Sequence, residues 1–308
     1  MPVIHVENLR KSYKSVRALD NVSFEVERGE VFALLGPNGA GKTTCIEILE
    51  GFHQRDSGTV DVLGFDPGAR SQQEELRTRI GVVLQELAVE SFFTVRQVLT
   101  RNAGFYRRPR PVDEVIELVG LGEKADAKVK RLSGGQQRRL DIGLGIIGRP
   151  ELLFLDEPTT GLDPGARRTT WDLIRTLADE GTTVLLSSHY MDEVEQLAQR
   201  VIVISKGRIV ASGAPASLGG RDRGRALIRF TLPTDVTREQ LPFAASRHDG
   251  ATVEIDADDE VVILHQLTTW ALEHKVNVTG LTVTRQSLED VYIALTALDA
   301  SAVEEVER

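Results

Sequence analysis

The chain is poor in thiols, with a single cysteine, Cys45, among 308 residues. One thiol closes no internal disulfide and builds no cysteine-rich zinc site, so a reducing compartment is expected. Long apolar runs are missing as well. No stretch reaches the roughly 18 apolar residues that would cross a bilayer, so a membrane role would have to pass through a partner subunit. The opening MPVIHVENLRKSYK lacks the apolar core of a secretory signal, and none is expected. Positive charge is also in deficit. Lys and Arg number 37 against 46 Asp and Glu, a formal net charge of −9, which argues against a phosphate backbone as the main partner. No nucleic acid is therefore expected, and no tandem repeat is found.

What is present reads as an α/β protein of roughly two domains. The short apolar runs VFALLG (31–36), ELLFLDEP (151–158) and TTVLLSS (182–188) alternate with helical patterns. Buried strands interleaved with helices predict a mostly parallel sheet. RVIVISKGRIVASG (200–213) reads as a hairpin turning at Lys206 and Gly207. The segment around 94–129 is helical in pattern, broken by RRPRP (107–111), and predicts a helical subdomain over about 86–140. A first domain over 1–218 would then join a second over 226–308 through a Gly- and charge-rich linker at 219–225. The second domain reads as a small α/β unit. Its strands are RALIRFTLP, ATVEIDA and NVTGLTVTR, its helix is VVILHQLTTWALEHKV, and a final helix SLEDVYIALTALD is capped by Ser287.

Two motifs carry phosphate chemistry. GPNGAGKT (36–43) fits G-x4-G-K-T, after a strand and before a helix. Its glycines let backbone N–H groups curl around phosphate oxygens, and the helix that follows offers its positive end. Gly36, Pro37, Asn38, Gly39, Ala40, Gly41, Lys42, Thr43 and Thr44 are the candidate nucleotide-binding residues. Lys42 would reach the β- and γ-phosphates, and Thr43 would offer its hydroxyl to Mg2+. LLFLDE (152–157) supplies the second half, a buried strand ending in two carboxylates where open α/β sheets bind ligands. Asp156 would hold Mg2+, and Glu157 would orient or deprotonate the attacking water. Together the two motifs define a P-loop NTPase.

Further motifs, in order over about residues 2–217, resemble those of the ATP-binding-cassette (ABC) ATPases. The resemblance implies that Tyr13 stacks on adenine, a contact any flat π-face can make. It implies that Gln85, in GVVLQE, contacts Mg2+ and the attacking water, and that His189, in SSHYMDE, contacts the γ-phosphate. LSGGQ (132–136) is similar to the family signature, with Ser133, Gly134, Gly135 and Gln136 its candidate nucleotide contacts, and Asp163 in GLDP is implied to cross a dimer interface. In such proteins two subunits pack head to tail, and each signature closes on the ATP held by the other. A hydroxyl, glycine amides and a helix N-terminus can hold an anion without any cation. Lys42, Gln85, Glu157 and His189 are then the implied catalytic set, with ATP and Mg2+ as ligands.

One chain carries one motif set, so a homodimer or a heterodimer with a paralogue is implied. From Gly41 to Leu132 there is no room for the long coiled coil of the chromosome-maintenance branch. The run from LSGGQ to GLDP, SSHYMDEVEQLAQRV and the closing SLEDVYIALT resemble the ABC-2 type exporters, including daunorubicin-resistance-like drug-export ATPases. That implies export of a drug, lipid or polysaccharide through a separate integral membrane permease, with the chain peripheral on the cytoplasmic face of the membrane. The alternative is a non-transport ABC ATPase acting as a mechanical switch on a soluble or nucleic-acid complex. Phe92 and Phe93 are candidates for contact with the permease, with core packing as the other reading. The helix after the signature departs from relatives in Gly143, Gly145 and Gly148, which reads either as close packing under the nucleotide site or as a softer helix. Gln199 stands where many relatives have aspartate, and Cys45 is expected to be buried.

Overall fold

The computed structural model describes residues 2–84, 91–218, 226–233, 236, 240–243, 251–284, 288–290 and 292, with the backbone alone at 247–249. The chain divides into two compact units, 1–215 and 216–308. The expected linker at 219–225, Gln85 and the cap Ser287 lie outside the described residues.

The first unit is built on a six-stranded sheet in the order β5(Ile80–Val83), β6(Leu152–Asp156), β7(Thr183–Ser188), β3(Val31–Leu35), β8(Arg200–Ser205), β9(Arg208–Gly213). The first five strands are parallel. All residues of β3, β6 and β7 are buried, as a parallel sheet covered on both faces requires. The last strand returns antiparallel from β8. Its turn sits at Lys206 (φ 45°) and Gly207 (φ 78°), the pair of positive φ angles that matches strand twist in a two-residue hairpin.

A second sheet, β2(Val16–Val26), β1(Ile4–Tyr13), β4(Ser57–Val62), is antiparallel throughout. The sequence pattern did not separate it from the parallel sheet. The reason is local: the β1–β2 ladder shifts register three times, and Asn8 and Asn21 are left-handed. Such bulges interrupt the period-two alternation on which strand reading depends.

The helices α1(Lys42–Leu49), α2(Arg70–Arg79), α3(Val95–Ala103), α4(Val112–Leu118), α5(Gly134–Ile146), α6(Pro164–Asp179) and α7(Met191–Leu197) complete this unit. α3 opens with a capping box between Thr94 and Gln97. The glycines of α5 are explained by close packing, though not under the nucleotide loop. A Cβ at Gly145 would lie 2.8 Å from Val83 Cγ2 and 3.1 Å from Leu153 Cδ1, against the sheet. A Cβ at Gly143 would lie 3.3 Å from Val115 and Val119, against α4 and the turn after it. Gly148 lies in the turn beyond α5, where the Tyr106 ring leaves no room for a side chain. Cys45 is fully buried on α1, and burial pushes its thiol up to about 12, so it stays protonated and inert. The Gln199 side chain accepts a hydrogen bond from the Val31 amide, tying the entry of β8 to that of β3.

The second unit is a four-stranded antiparallel sheet, β11(Arg247–Asp249), β12(Thr252–Ala257), β10(Ala226–Thr231), β13(Thr279–Thr284), with α8(Glu260–His274). Ile228, Phe230, Val253 and Ile255 pack with Leu267 and Trp270 of α8. Asp259 caps α8 by accepting from the Val261 and Val262 amides. At three residues, β11 is too short to show a period and was not expected from the sequence. Residues 288–290 and 292 are helical, at the place of the expected last helix.

Candidate functional site

The site forms at the C-terminal edge of the parallel strands, where a doubly wound sheet leaves its crevice. The loop 36–41 leaves β3 and enters α1. Gly39 (φ 80°) and Gly41 (φ 109°) are left-handed. A Cβ at Gly41 would run into the Ala18 carbonyl and the Leu19 side chain, so no other residue fits this turn. Gly36 and Ala40 are buried, while Pro37, Asn38 and Gly39 are exposed. The loop, Thr43 and Thr44 line a cleft of about 310 Å³ together with Val16, Ala18 and Glu157.

Lys42 is buried, and its Nζ donates to the carbonyls of Gly36 (2.8 Å) and Pro37 (3.2 Å). It lies 3.8 Å from Glu157 Oε1. Burial holds its pKa below the ordinary value, opposed by the charges of Glu157 and Asp156. A cation in such surroundings gains most by closing on phosphate oxygens.

Asp156 ends β6, and its Oδ2 accepts from Thr43 Oγ1 at 3.4 Å. Its Oδ1 accepts from Ser187 Oγ on β7. A hydroxyl and a carboxylate converging on one point suit a hard divalent cation such as Mg2+. Among the described residues no group of three His, Cys, Asp or Glu could hold a metal by itself. Thr43 and Asp156 would therefore need further donors, such as phosphate oxygens and water, to hold Mg2+ beside a nucleotide.

Glu157 follows at φ 47°. Its amide donates to the carbonyl (3.2 Å) and hydroxyl (3.1 Å) of Ser187. Its Oε2 accepts from Thr160 Oγ1 at 3.1 Å. The His189 Nδ1, 3.1 Å from Oε1, carries the proton and donates, because a carboxylate only accepts. Thus β3, β6 and β7 bring Lys42, Thr43, Asp156, Glu157 and His189 together.

Other predicted residues stand apart. No residue of 132–136 lines the cleft. Ser133 is exposed and caps α5: its Oγ accepts from the Gln136 amide (3.3 Å), and Gln136 Oε1 accepts from the Ser133 amide (3.0 Å). Gln136 is thereby committed to the cap, leaving the Gly134 and Gly135 amides and the Ser133 hydroxyl at the helix end. Nothing lies within 4 Å of a Cβ at Gly134, whereas one at Gly135 would meet Ala166 Cβ at 2.7 Å. Asp163 caps the adjoining α6, accepting from the Gly165 and Ala166 amides at 2.9 Å each. Tyr13 is not in the cleft wall. Its ring stands edge-on to His53 and under Lys11, and Val16 and Ala18 of β2 form the wall instead. Those two residues, Ser187 and Thr160 were not found from sequence. Only their place beside the two strong motifs in space reveals them.

Glu50, just past α1, is 3% exposed, and its Oε2 has no partner. Burial, then the charges of Asp156 and Glu47, raise its pKa from 4.5 to about 8. A carboxyl with a raised folded pKa contributes stability that is complete below its unfolded pKa and is lost as pH rises through the folded value. Glu50→Gln should therefore leave the melting midpoint of nucleotide-free protein nearly unchanged at about pH 5 and raise it at about pH 9. An equal change at both pH values would contradict a neutral, buried Glu50.

A glycine loop between strand and helix, its lysine, and a hydroxyl–aspartate pair at a neighbouring strand end define a P-loop NTPase, and the separate LSGGQ helix start narrows the class to the ABC ATPases. The ABC transporter family profile matches residues 19–160, and that of the ABC transporter domain-containing protein-like C-terminal domain matches residues 226–287. The chain is 36% identical to the daunorubicin/doxorubicin resistance ATP-binding protein DrrA of Streptomyces peucetius, covering 95% of this chain and 92% of that one. It is 39% identical to the Nod factor export ATP-binding protein I of Burkholderia thailandensis, covering 83% and 86%. Among solved structures, cbiO1 from Clostridium perfringens, part of the ABC transporter complex cbiONQ, superposes with a TM-score of 0.66 at 30% identity, over 70% of this chain and 90% of that one. The dimeric bacterial ABC transporter cassette MJ0796 superposes with a TM-score of 0.61 at 25% identity, over 68% and 98%. The chain belongs to the ABC transporter family, as one of its ATP-binding proteins.

Proposed function

We propose that the chain binds MgATP, pairs head to tail with a second cassette around two nucleotides, and spends their hydrolysis on driving export through a separate membrane permease. The observation that carries this reading is the separation of the two phosphate-binding devices. The lysine loop forms one cleft, while the signature helix start is exposed and lines no part of it. A second chain supplies what each lacks. The dimeric cassette among the structural neighbours supports the pairing, with this chain or a paralogue as partner.

In this reading residues 36–44 cradle the phosphates and Lys42 neutralises the β- and γ-oxygens. Tyr13 reaches the adenine, and Thr43, Asp156 and Gln85 hold the cation. Mg2+, when bound, supplies charge neutralisation across the phosphates. Glu157 orients and accepts a proton from the attacking water, and His189 steadies the γ-phosphate. Ser133, Gly134 and Gly135 close on the partner's γ-phosphate, with Gln136 keeping their helix end in shape and Asp163 at the dimer interface. Export follows from the relatives, one a drug-resistance protein and one an export protein, and extends to a drug, lipid or polysaccharide cargo.

Among the described residues no helix is long and apolar enough to cross a membrane, and in this reading the permease holds the chain on the inner face of the membrane. Phe92 and Phe93 are 71% and 40% exposed, under Lys130 and Arg101 respectively, which favours contact with that permease over core packing. Affinity purification from detergent-extracted membranes should recover a polytopic membrane protein, and Phe92→Ser with Phe93→Ser should weaken its retention. Recovery of ribosomes or DNA in its place would overturn the transport reading.

A further inference from the structure

Glu157 combines a negative side chain with a left-handed backbone, φ 47°. A residue with a Cβ holds that conformation only where its surroundings over-determine it. Its amide is fixed by Ser187. The carbonyls on either side of it are fixed by one buried guanidinium from α5. Arg138 Nη2 donates to the Asp156 carbonyl and Nε to the Pro158 carbonyl, both at 2.8 Å. Nη1 donates to the Leu84 carbonyl beyond β5 and to Asp141 Oδ2, 3.3 Å away on the same helix. On the far side, Thr159 donates to buried Glu193 at 2.7 Å. Arg138 lies five residues past Ser133, little more than a turn from the helix end.

We infer that Arg138 is a positioning residue for hydrolysis, one that clamps the residues before and after Glu157 and so aims its carboxylate at the attacking water from the signature helix. The inference rests on the role proposed for Glu157. The clamp needs a rigid planar fork, because donors from one group must meet two carbonyls at a fixed spacing. A lysine offers a point charge on a flexible stem and cannot reproduce it.

The test is a double-mutant cycle on the full chain, with ATP turnover and ATP binding both measured. Arg138→Lys should lower kcat by about ten- to a hundredfold while the Kd for ATP stays within about twofold, since the lysine loop is untouched. In a Glu157→Gln background the same substitution should cost nothing further, because the carboxylate it positions is already gone. Should Arg138→Lys not fold, Asp141→Asn loosens the guanidinium without removing it and should give the same pattern at smaller amplitude. Equal losses in both backgrounds, or loss of ATP binding in step with kcat, would overturn the inference and leave Arg138 a structural residue. Should Glu157→Gln itself retain full turnover, the role of Glu157 fails first, and the two failures are thereby told apart.

Discussion

Glu157→Gln is expected to lower ATP turnover by about 10²–10⁴-fold, the usual range for losing a positioned proton acceptor, with nucleotide binding retained. The substitution is nearly isosteric. Glutamine keeps an oxygen that can accept from His189 Nδ1 and another polar atom beside Thr160, the two contacts that orient the side chain. The Ser187 contacts to the amide are backbone contacts or lie outside the side chain and are unchanged. What disappears is the charge 3.8 Å from Lys42 and the capacity to take a proton from water. Binding should persist, because in the proposed site residues 36–44 hold the phosphates through backbone amides and Lys42. In the proposed dimer, ATP that is bound and not cleaved would continue to bridge two chains, so the variant should elute as a dimer in MgATP and as a monomer in ADP. Turnover within about twofold of the parent, or no ATP-dependent dimer, would remove Glu157 from the reaction.

The parts of this site that were legible in the sequence are those whose chemistry is local. In 36–43 the glycines, the lysine and the hydroxyl lie within one loop and one helix turn, and Gly41 can be no other residue because of its φ and the Ala18 carbonyl behind it. The same holds for β6, where four buried apolar residues run into two carboxylates. The capping boxes at Thr94 and Ser133 are local too, spanning four residues each, but were recognised only in the structure. What was not legible depends on distant chain segments. Ser187 holds Asp156 and Glu157 from a neighbouring strand, Arg138 reaches three carbonyls on two strand ends, and Val16 and Ala18 wall the cleft from another sheet. Their residue types have no pattern of their own. The glycines of α5 illustrate the limit well. Sequence showed that they were unusual, but only the packing of Gly145 on Val83 and Leu153 showed why. Tyr13 is the reverse case: the role proposed for it comes from its place in the motif order alone, while its ring stands beside Lys11 and His53 rather than in the cleft.

The second large effect concerns Ser133. Ser133→Arg puts a long cation where the cap hydroxyl stood and removes the bond from the Gln136 amide. Lys42→Ala removes the only cation among the described residues that line the cleft. Each variant alone should lose activity by about 10²-fold or more, the scale for losing a group aimed at developing phosphate charge. Neither result by itself says whose ATP the signature serves, because both sites of a homodimer carry the defect.

Mixing the two variants separates the possibilities. With head-to-tail sharing, a mixed dimer has one site damaged twice and one site intact, formed by the lysine loop of the Ser133→Arg chain and the signature of the Lys42→Ala chain. If each signature served its own chain, both sites would be damaged. The most direct measurement is the ATP retained by isolated mixed dimers, with Glu157→Gln in both chains to prevent hydrolysis. One ATP per mixed dimer, with no ATP-bridged dimer formed by either variant alone, is the outcome expected of a site shared between chains. No ATP in the mixed dimer would contradict it and return LSGGQ to its own chain's nucleotide.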